Sequence, residues 1–562
     1  MAYHLDPNKK ITYYNLRFRL VMVLIALVLL SLTGRMVYLM VLDHHFLQGQ
    51  GDARALRTIE IPAYRGMLLD RNGQALAVSS PVDAIWVDPP EFTPTPQQLT
   101  TLAKLLQLKP QTIQTKVKKN IDREFIYLLR GVQPDVGAQI KALNIPGLFL
   151  REEYRRYYPE GEVTAHILGF TNVDDNGQEG LELAYNSVLA GQSGLRKVVK
   201  DRYGRVVEDV NLIREPKPGQ DITLSIDRRI QYIAYKALKD QVAKFAADSG
   251  SVVVIDIKTG EVLAMANVPS FNPNFRPDDK DGRYRNRAVT DTFEPGSTLK
   301  TFTAYLGLAD GKYSPDTIID TAPGWFKLGK NIVRDEHYKG AITVAQVLQY
   351  SSNVGISKIV LSLPPNQLWT TLNELGFGQS TYSGFPGESA GLLPARSYWD
   401  PFILSTLSFG YGMTTTTLQL AHAYATIANY GVQVPVSLLK LDQAPVGKQV
   451  LEPKVTKQLI TIMETVLEGG GTAVRAQVPG YLVAGKTGTS RMVGPKGYMW
   501  NHHNAQFAGL APATNPRYVV VVHISDPRKI GYEGGQVAAP VFAKVMAGVL
   551  QIMNVPADNL NN

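Results

Sequence analysis

The chain has 562 residues, a formal net charge of +9 and no cysteine. Its length exceeds one ordinary domain, and the missing cysteines exclude a disulfide framework and a lipoprotein anchor. The basic excess is spread along the chain, which excludes a nucleic-acid footprint and reads as a solvated surface drawn to anionic polymer or membrane.

From Leu20 to Leu32 the sequence is apolar except for Ser31, and after Thr33-Gly34-Arg35 the apolar run resumes from Met36 to Leu42. Leu20–Leu42 is long enough to cross a bilayer. Arg35, near one end, can extend its side chain toward headgroups. Lys9, Lys10, Arg17 and Arg19 precede the span, so the positive-inside rule leaves residues 1–19 in the cytoplasm and the remaining chain outside. No small-x-small cleavage site follows, which argues against a removed signal peptide.

About 520 residues beyond the span predict more than one domain. A turn-rich break at Glu215-Pro216-Lys217-Pro218-Gly219 precedes the strand-like Ile222-Thr223-Leu224-Ser225-Ile226 and divides 43–218 from 219–562. In the upstream part, Asn72-Gly73 within Arg65-Gly66-Met67-Leu68-Leu69-Asp70-Arg71-Asn72-Gly73 predicts a hairpin turn. Arg156-Tyr157-Tyr158-Pro159-Glu160-Gly161, Ala165-His166, Gly169-Phe170, Asp174 and Glu179-Gly180 predict further turns and buried ion pairs.

Downstream stand three short motifs in order: Glu294-Pro295-Gly296-Ser297-Thr298-Leu299-Lys300, Ser351-Ser352-Asn353 and Lys486-Thr487-Gly488. Ser-x-x-Lys at a helix start puts hydroxyl and amine one turn apart on the same face, so the lysine can take the serine's proton without a histidine. Ser-x-Asn adds a second hydroxyl and an amide. Lys-Thr-Gly on a strand adds a cation and a backbone edge for an acyl substrate. Ser297 opens the apolar run Thr301–Leu308, predicted to be a buried helix. Tyr518–Ile524 reads as a strand and Pro540–Met553 as a closing helix.

Each motif alone is weak. Ser-x-x-Lys is expected by chance roughly twice in such a chain, and its other copy, Ser437-Leu438-Leu439-Lys440, follows the extended pattern Val434-Pro435-Val436, where serine and lysine three apart face opposite sides. Lys258-Thr259-Gly260 lies between two strand-like runs and predicts a hairpin turn, while Ser270-Phe271-Asn272 lies in a proline-rich loop. A rival reading takes Gly480–Thr487 as the phosphate-binding pattern G-x-x-x-x-G-K-T. That loop needs a strand before the first glycine and a helix after the lysine, whereas Tyr481–Ala484 is itself strand-like and Gly488-Thr489 discourages a helix. His502-His503 is expected in an exposed polar loop. No metal or cofactor is implied.

The three motifs, preceded by span and upstream turns, resemble a class B penicillin-binding protein over nearly the whole chain. Ser351–Lys358, Ser408-Phe409-Gly410-Tyr411-Gly412 with Leu418–Ala421, and Tyr532-Glu533-Gly534-Gly535 through Phe542 look like the cell-division branch; the elongation branch usually carries aspartate where Asn353 stands. The resemblance implies an α/β (α+β) transpeptidase domain at 219–562, with an antiparallel sheet flanked by helices, on an extended β-rich pedestal or dimerisation domain at 43–218. Single-pass insertion in the inner membrane, with the catalytic domain in the periplasm, is implied too. It further implies that Ser297 attacks the D-Ala-D-Ala end of a peptidoglycan stem peptide, expels D-alanine and passes the acyl group to a neighbouring amine. In that scheme Lys300 is the base, Ser351 relays the proton, Asn353 holds the peptide amide, and Lys486 and Thr487 hold the terminal carboxylate. Gly488 belongs to the binding strand, and the N–H groups of Ser297 and Thr489 form the oxyanion hole. Implied partners are stem peptides, β-lactams, the membrane, a polytopic septal glycan polymerase and other division proteins, since nothing in the chain resembles a glycan polymerase. Only a few polar residues follow Met553, which suggests a Gram-negative-type envelope without added wall-binding modules.

Alternatives share the motifs. A β-lactamase of one large class needs Glu-x-x-x-Asn for its deacylating water, and that pattern occurs only at Glu182–Asn186, upstream of Asp221. A D,D-carboxypeptidase, an elongation-type transpeptidase and an inactive division scaffold are the others; intact Ser297, Lys300 and Lys486 argue against the scaffold.

Overall fold

The computed structural model describes residues 7–47, 49, 56–200, 206–276 and 282–559, and the side chains of Lys9 and Lys10 lie outside the described set. The chain forms two compact units, one of Met1–Ala63, Asp83–Glu153 and Gln192–Lys217, the other of Tyr64–Val82, Tyr154–Gly191 and Pro218–Asn562.

In the first unit, the helix Pro7–Val37 runs on as a π-helical turn, Tyr38–Leu42. Asn15–Leu42 is long and apolar enough to span a membrane, and Leu20, Leu24, Leu27 and Leu30 are all exposed. A helix apolar on every side finds its partner in lipid rather than in a soluble core. The Arg35 guanidinium lies 5.2 Å from the Tyr38 ring centroid, an amphipathic pair suited to a bilayer interface. Elsewhere in this unit Leu56–Ile61, Gly194–Lys200 and Val206–Arg214 form an antiparallel sheet. Three helices that periodicity did not pick out, Pro96–Leu105, Pro110–Lys119 and Pro134–Ala142, each begin with proline, whose fixed φ suits the first helical position. They close a core around Ile85, Leu99, Leu102, Ile113 and Ile140.

The second unit centres on a five-stranded antiparallel sheet in the order Val262–Val268, Ser249–Asp256, Tyr518–Ser525, Gly497–Ala511, Ala484–Gly494. Period-two alternation explains its near-continuous valine runs: Val253, Ile255, Val519 and Val521 enter one core with the helices Lys300–Ala309 and Thr417–Ala428. Val252, Val254, Val520 and Val522 enter another with Arg228–Phe245 and Ala539–Ile552. Both faces are covered, so neither set needs polar partners.

Asn72-Gly73 turns between Leu68–Leu69 and Ala75–Val87, with Gly73 at φ +79° and Asp70 Oδ1 accepting the Asn72 and Gln74 N–H groups at 2.8 Å. The strand after the break is shorter than its sequence pattern, only Ile222–Thr223. Buried ion pairs form here, but their acid is Glu182 rather than Asp174 or Glu179. Its carboxylate pairs with Arg65 and Arg156, each at 2.6 Å, and all three side chains are at most 1% exposed. Arg65 Nη1 also donates to Asn186 Oδ1 at 2.8 Å, so the Glu-x-x-x-Asn match serves a buried arginine. Removing this acid leaves two buried guanidiniums without their anion. Glu182→Gln should therefore cost about 3–5 kcal/mol of stability, read as a large fall in Tm.

Candidate active site

All three motifs fall in the second unit. Gly296–Leu299 is a 3-10 turn that hands over to the α-helix Lys300–Ala309. The motif thus starts one turn earlier, and more tightly wound, than an α-helical start; residues three apart eclipse in such a turn, so Ser297 and Lys300 share a face. Residues Lys300 to Leu308 are all buried, and a helix with no wet face belongs in a core. Ser297 is half-buried at its mouth.

Lys300 is fully buried, and its Nζ donates to the Ser351 backbone carbonyl and contacts Ser351 Oγ at 3.1 Å. Lys486, also fully buried, reaches the same hydroxyl at 2.9 Å from the strand Ala484–Gly494. One serine hydroxyl therefore joins two amines that sit 186 residues apart in sequence numbering. Burial pushes the Lys300 ammonium down to about 7, against the opposing pull of Asp335 and Glu336. Burial first, then the charge of Lys300, lowers Lys486 as well. Desolvation, more than mutual repulsion, depresses these amines.

Ser351 occupies the left-handed region at φ +60°. Ser352 caps the following helix, Asn353–Leu361, accepting the Gly355 N–H at 2.8 Å and donating to Asp335 Oδ2 at 2.7 Å. Asn353 Nδ2 donates to the Arg334 carbonyl at 2.9 Å, which fixes the direction of its amide. Thr487 Oγ1 lies 2.8 Å from Thr472 Oγ1, and Thr489 Oγ1 accepts the Gly534 N–H at 3.1 Å.

Ala484–Gly494 is the edge strand of the sheet, so one row of its peptide groups is available to an extended ligand. It passes closely under the Gly296–Leu299 turn. A Cβ on Gly488 would lie 2.5 Å from Gln506 Oε1 and 2.9 Å from the Pro295 carbonyl, and one on Gly296, at φ +55°, would lie 2.8 Å from the Thr489 carbonyl. Glycine is what permits this approach. Ser490 Oγ then ties the strand to the Glu294 carbonyl at 2.7 Å. Glu294 heads the first motif, whose spacing gave it no role. Its Oε1 accepts from the Gly412 N–H at 2.8 Å and the Tyr498 hydroxyl at 3.0 Å, and burial raises its pKa.

The decoys behave differently. Ser437 Oγ is spent on the Leu439 carbonyl at 2.7 Å in extended chain. Lys258-Thr259-Gly260 joins two sheet strands with Gly260 at φ +72°, and Ser270 Oγ donates to the Glu162 carbonyl from a loop. Gly480 sits in a turn at φ +80°; the strand begins only at Ala484, not Tyr481, and continues past Lys486 to Gly494. With strand where a helix is required, no phosphate cradle forms. His502 and His503, expected in a loop, lie in the strand Gly497–Ala511. Aspartate and aromatic partners hold them there, His502 Nδ1 being 2.9 Å from Asp526 and the His503 ring stacking 4.0 Å from Tyr532. Among the described residues, no group of three His, Cys, Asp or Glu is placed to hold a metal ion.

Comparison with known proteins agrees with this geometry. Residues 250–547 match the penicillin binding protein transpeptidase domain, and residues 60–224 the penicillin-binding protein dimerisation domain. The chain is 42% identical over 548 residues to the probable peptidoglycan D,D-transpeptidase PbpC of Pseudomonas aeruginosa, covering 98% of this chain and 97% of that one. Over 553 residues it is 42% identical to the peptidoglycan D,D-transpeptidase FtsI of Escherichia coli K12, covering 98% and 94%. The crystal structure of penicillin binding protein 3 from Mycobacterium tuberculosis, complexed with aztreonam, superposes with a TM-score of 0.69 at 27% identity, covering 89% of this chain and 98% of that one. With a catalytic-domain match over more than half its length and relatives of this identity along nearly all of it, the chain belongs to the penicillin-binding protein transpeptidases.

Proposed function

We propose that this protein is the septal peptidoglycan D,D-transpeptidase of its cell, acting through an acyl-enzyme on Ser297. The observation that carries the reading is the Ser351 hydroxyl bonded to both Lys300 and Lys486, beside a nucleophile turn laid against an open edge strand. The names of the Escherichia coli and Pseudomonas relatives supply the reaction class, and the division assignment rests on the former together with Asn353.

The chemistry follows from the geometry. A Lys300 amine poised near neutrality can take the Ser297 proton as Oγ attacks the penultimate carbonyl carbon of D-Ala-D-Ala. Edge-strand pairing holds the stem peptide extended. Each oxyanion donor, the N–H of Ser297 and of Thr489, supplies about 3 kcal/mol to the tetrahedral state. As the C–N bond breaks, the proton on Lys300 passes through Ser351 to the leaving D-alanine amine. A hydroxyl has one proton and two lone pairs, so it can accept from one amine while donating onward. An amine of a second stem then attacks the ester, and its proton returns to Ser297 Oγ by the same route. Burial and the charge of Lys300 lower the proton affinity of Lys486, and an arriving carboxylate favours its protonated form. Asn353 holds the peptide amide and Thr487 the carboxylate, with Gly488 keeping the path clear.

β-Lactams fit the same site because their amide imitates D-Ala-D-Ala while the tethered leaving group obstructs the acceptor. Transfer is favoured over hydrolysis by the one Glu-x-x-x-Asn match being committed to Arg65. In this reading the span Leu20–Leu42, with basic residues before it, inserts so that 43–562 face the periplasm, and glycan strands come from a polytopic polymerase reached through the span and the upstream domain.

Mass spectrometry after brief exposure to a penicillin tests the nucleophile: one ester is expected on Ser297 and none on Ser437. Labelling that persists in Ser297→Ala overturns the assignment. The base is tested by pH. Because only neutral Lys300 accepts a proton, the acylation rate should rise with pH through an inflection near 7, the value to which burial lowers it. Lys300→Arg should abolish acylation at every pH although the charge is kept, since arginine stays protonated, whereas Lys486→Arg should retain part of it. Equal modest losses at the two positions would remove Lys300 as the base.

A further inference from the structure

Ser351 is the one site residue that bonds both lysines, and it is held in an uncommon conformation. For a residue with a side chain, φ +60° is strained and persists only when the surroundings enforce it. Its N-terminal side is held by the end of the helix Val344–Gln349, with the Ser351 N–H bonded to the Leu348 carbonyl at 3.2 Å and the Ser352 N–H to the Val347 carbonyl at 2.9 Å. The C-terminal side is held from outside the motif. Asp335 Oδ2 accepts the Ser352 hydroxyl at 2.7 Å, Asp335 Oδ1 accepts the Val354 N–H at 2.8 Å, and the neighbouring Arg334 carbonyl accepts Asn353 Nδ2 at 2.9 Å. Two consecutive residues thus grip three consecutive residues immediately after Ser351.

Asp335 has its own support. It follows the strand Asn331–Arg334, paired with Trp325–Leu328 in a two-stranded hairpin outside the main sheet, and its N–H bonds the Gly324 carbonyl at 2.9 Å. A carboxylate with both oxygens on a helix N-terminus is also electrostatically well placed. We infer that Asp335 is a positioning residue for catalysis: by clamping Ser352 and Val354 it holds the Ser351 hydroxyl between the two lysines. This rests on the acyl-enzyme reading above and extends it to a residue that no motif contains.

The charges facing Lys300 come from two elements. Lys486 approaches from the edge strand and meets Lys300 at the Ser351 hydroxyl, and Asp335 and Glu336 act from the hairpin segment; the Tyr424 phenol on the helix Thr417–Ala428 is turned instead to the Thr301 hydroxyl and the Thr298 carbonyl. Asp335 leads the groups that favour protonated Lys300. Removing its charge leaves the lysine neutral at lower pH, so the acid limb of acylation moves downward. Removing only its grip leaves that limb in place and lowers the plateau, because a 1 Å misplacement of a reacting group costs on the order of 100-fold.

Full-length protein in detergent, acylated by a penicillin across a pH series, separates the two effects. Asp335→Asn should lower the plateau rate roughly 10- to 100-fold and shift the acid limb to lower pH. Asp335→Glu and Ser352→Ala keep the charge, so each should lower the plateau with the limb unmoved. Adding Ser352→Ala to Asp335→Asn should lower the plateau by less than the product of the single losses, since the two share the Asp335–Ser352 hydrogen bond. An unmoved limb in Asp335→Asn, a wild-type plateau in Asp335→Glu, or losses that multiply in the double variant would overturn the proposal. Failure of the underlying reading shows elsewhere: wild-type protein would then have no acid limb, or would lose none of its acylation in Lys300→Arg.

Discussion

Everything in the catalytic unit depends on keeping two lysines out of water on one hydroxyl. A buried ammonium is costly, and a buried pair more so; the cost shows as the depressed proton affinity of Lys300, held near 7. An exposed lysine, near 10.4, is a cation at neutral pH and cannot act as a base. Burial therefore brings Lys300 toward neutrality, and it requires that the helix bearing Lys300 be enclosed on all sides. The sequence meets that condition with an apolar turn after the motif and tyrosine and threonine hydroxyls whose bonds stay inside, such as Tyr424 to the Thr298 carbonyl at 2.7 Å.

Substrate needs the reverse, an open flank, and the sheet supplies it by ending on the strand that carries Lys486. That edge cannot drift from the nucleophile. Ser490 and Gln506 both donate to the Glu294 carbonyl, at 2.7 and 3.4 Å, while the Glu294 carboxyl receives Gly412 and Tyr498. The residue three places before the nucleophile thus anchors the strand, the Gly410–Gly412 loop and the far end of the hairpin. Rigid mutual placement of this kind is what lowers the entropic barrier to acyl transfer.

The upstream chain takes part in both units. Residues 60–224 match one domain family, yet Tyr64–Val82 and Tyr154–Gly191 gather with the catalytic sheet while Asp83–Glu153 and Gln192–Lys217 gather with the span. Linear reading placed one break near residue 218, because proline and glycine mark turns whether or not the chain returns. The returns are set by long-range pairs such as Arg65 with Glu182, and nothing in local composition announces them.

What was legible in the sequence was chemistry repeated at short spacing. Ser297 with Lys300, Ser351 with Asn353, and Lys486 with Gly488 stand on single elements whose period fixes which side chains share a face. Val519–Ile524 and the closing helix were legible for the same reason. The roles of Asp335 and Glu294 were not, since their partners are backbone groups and a hydroxyl reached through tertiary folding, and neither kind of partner leaves a mark on residue type. The two Ser-x-x-Lys copies show the limit most sharply. Ser297 and Ser437 share the Ser-x-x-Lys spacing, but in an extended chain the Ser437 hydroxyl turns to the Leu439 carbonyl, whereas the 3-10 turn at Ser297 puts it on the same face as the buried Lys300. Reactivity belongs to the backbone conformation that the surrounding core enforces, and the motif names only the atoms that conformation will use.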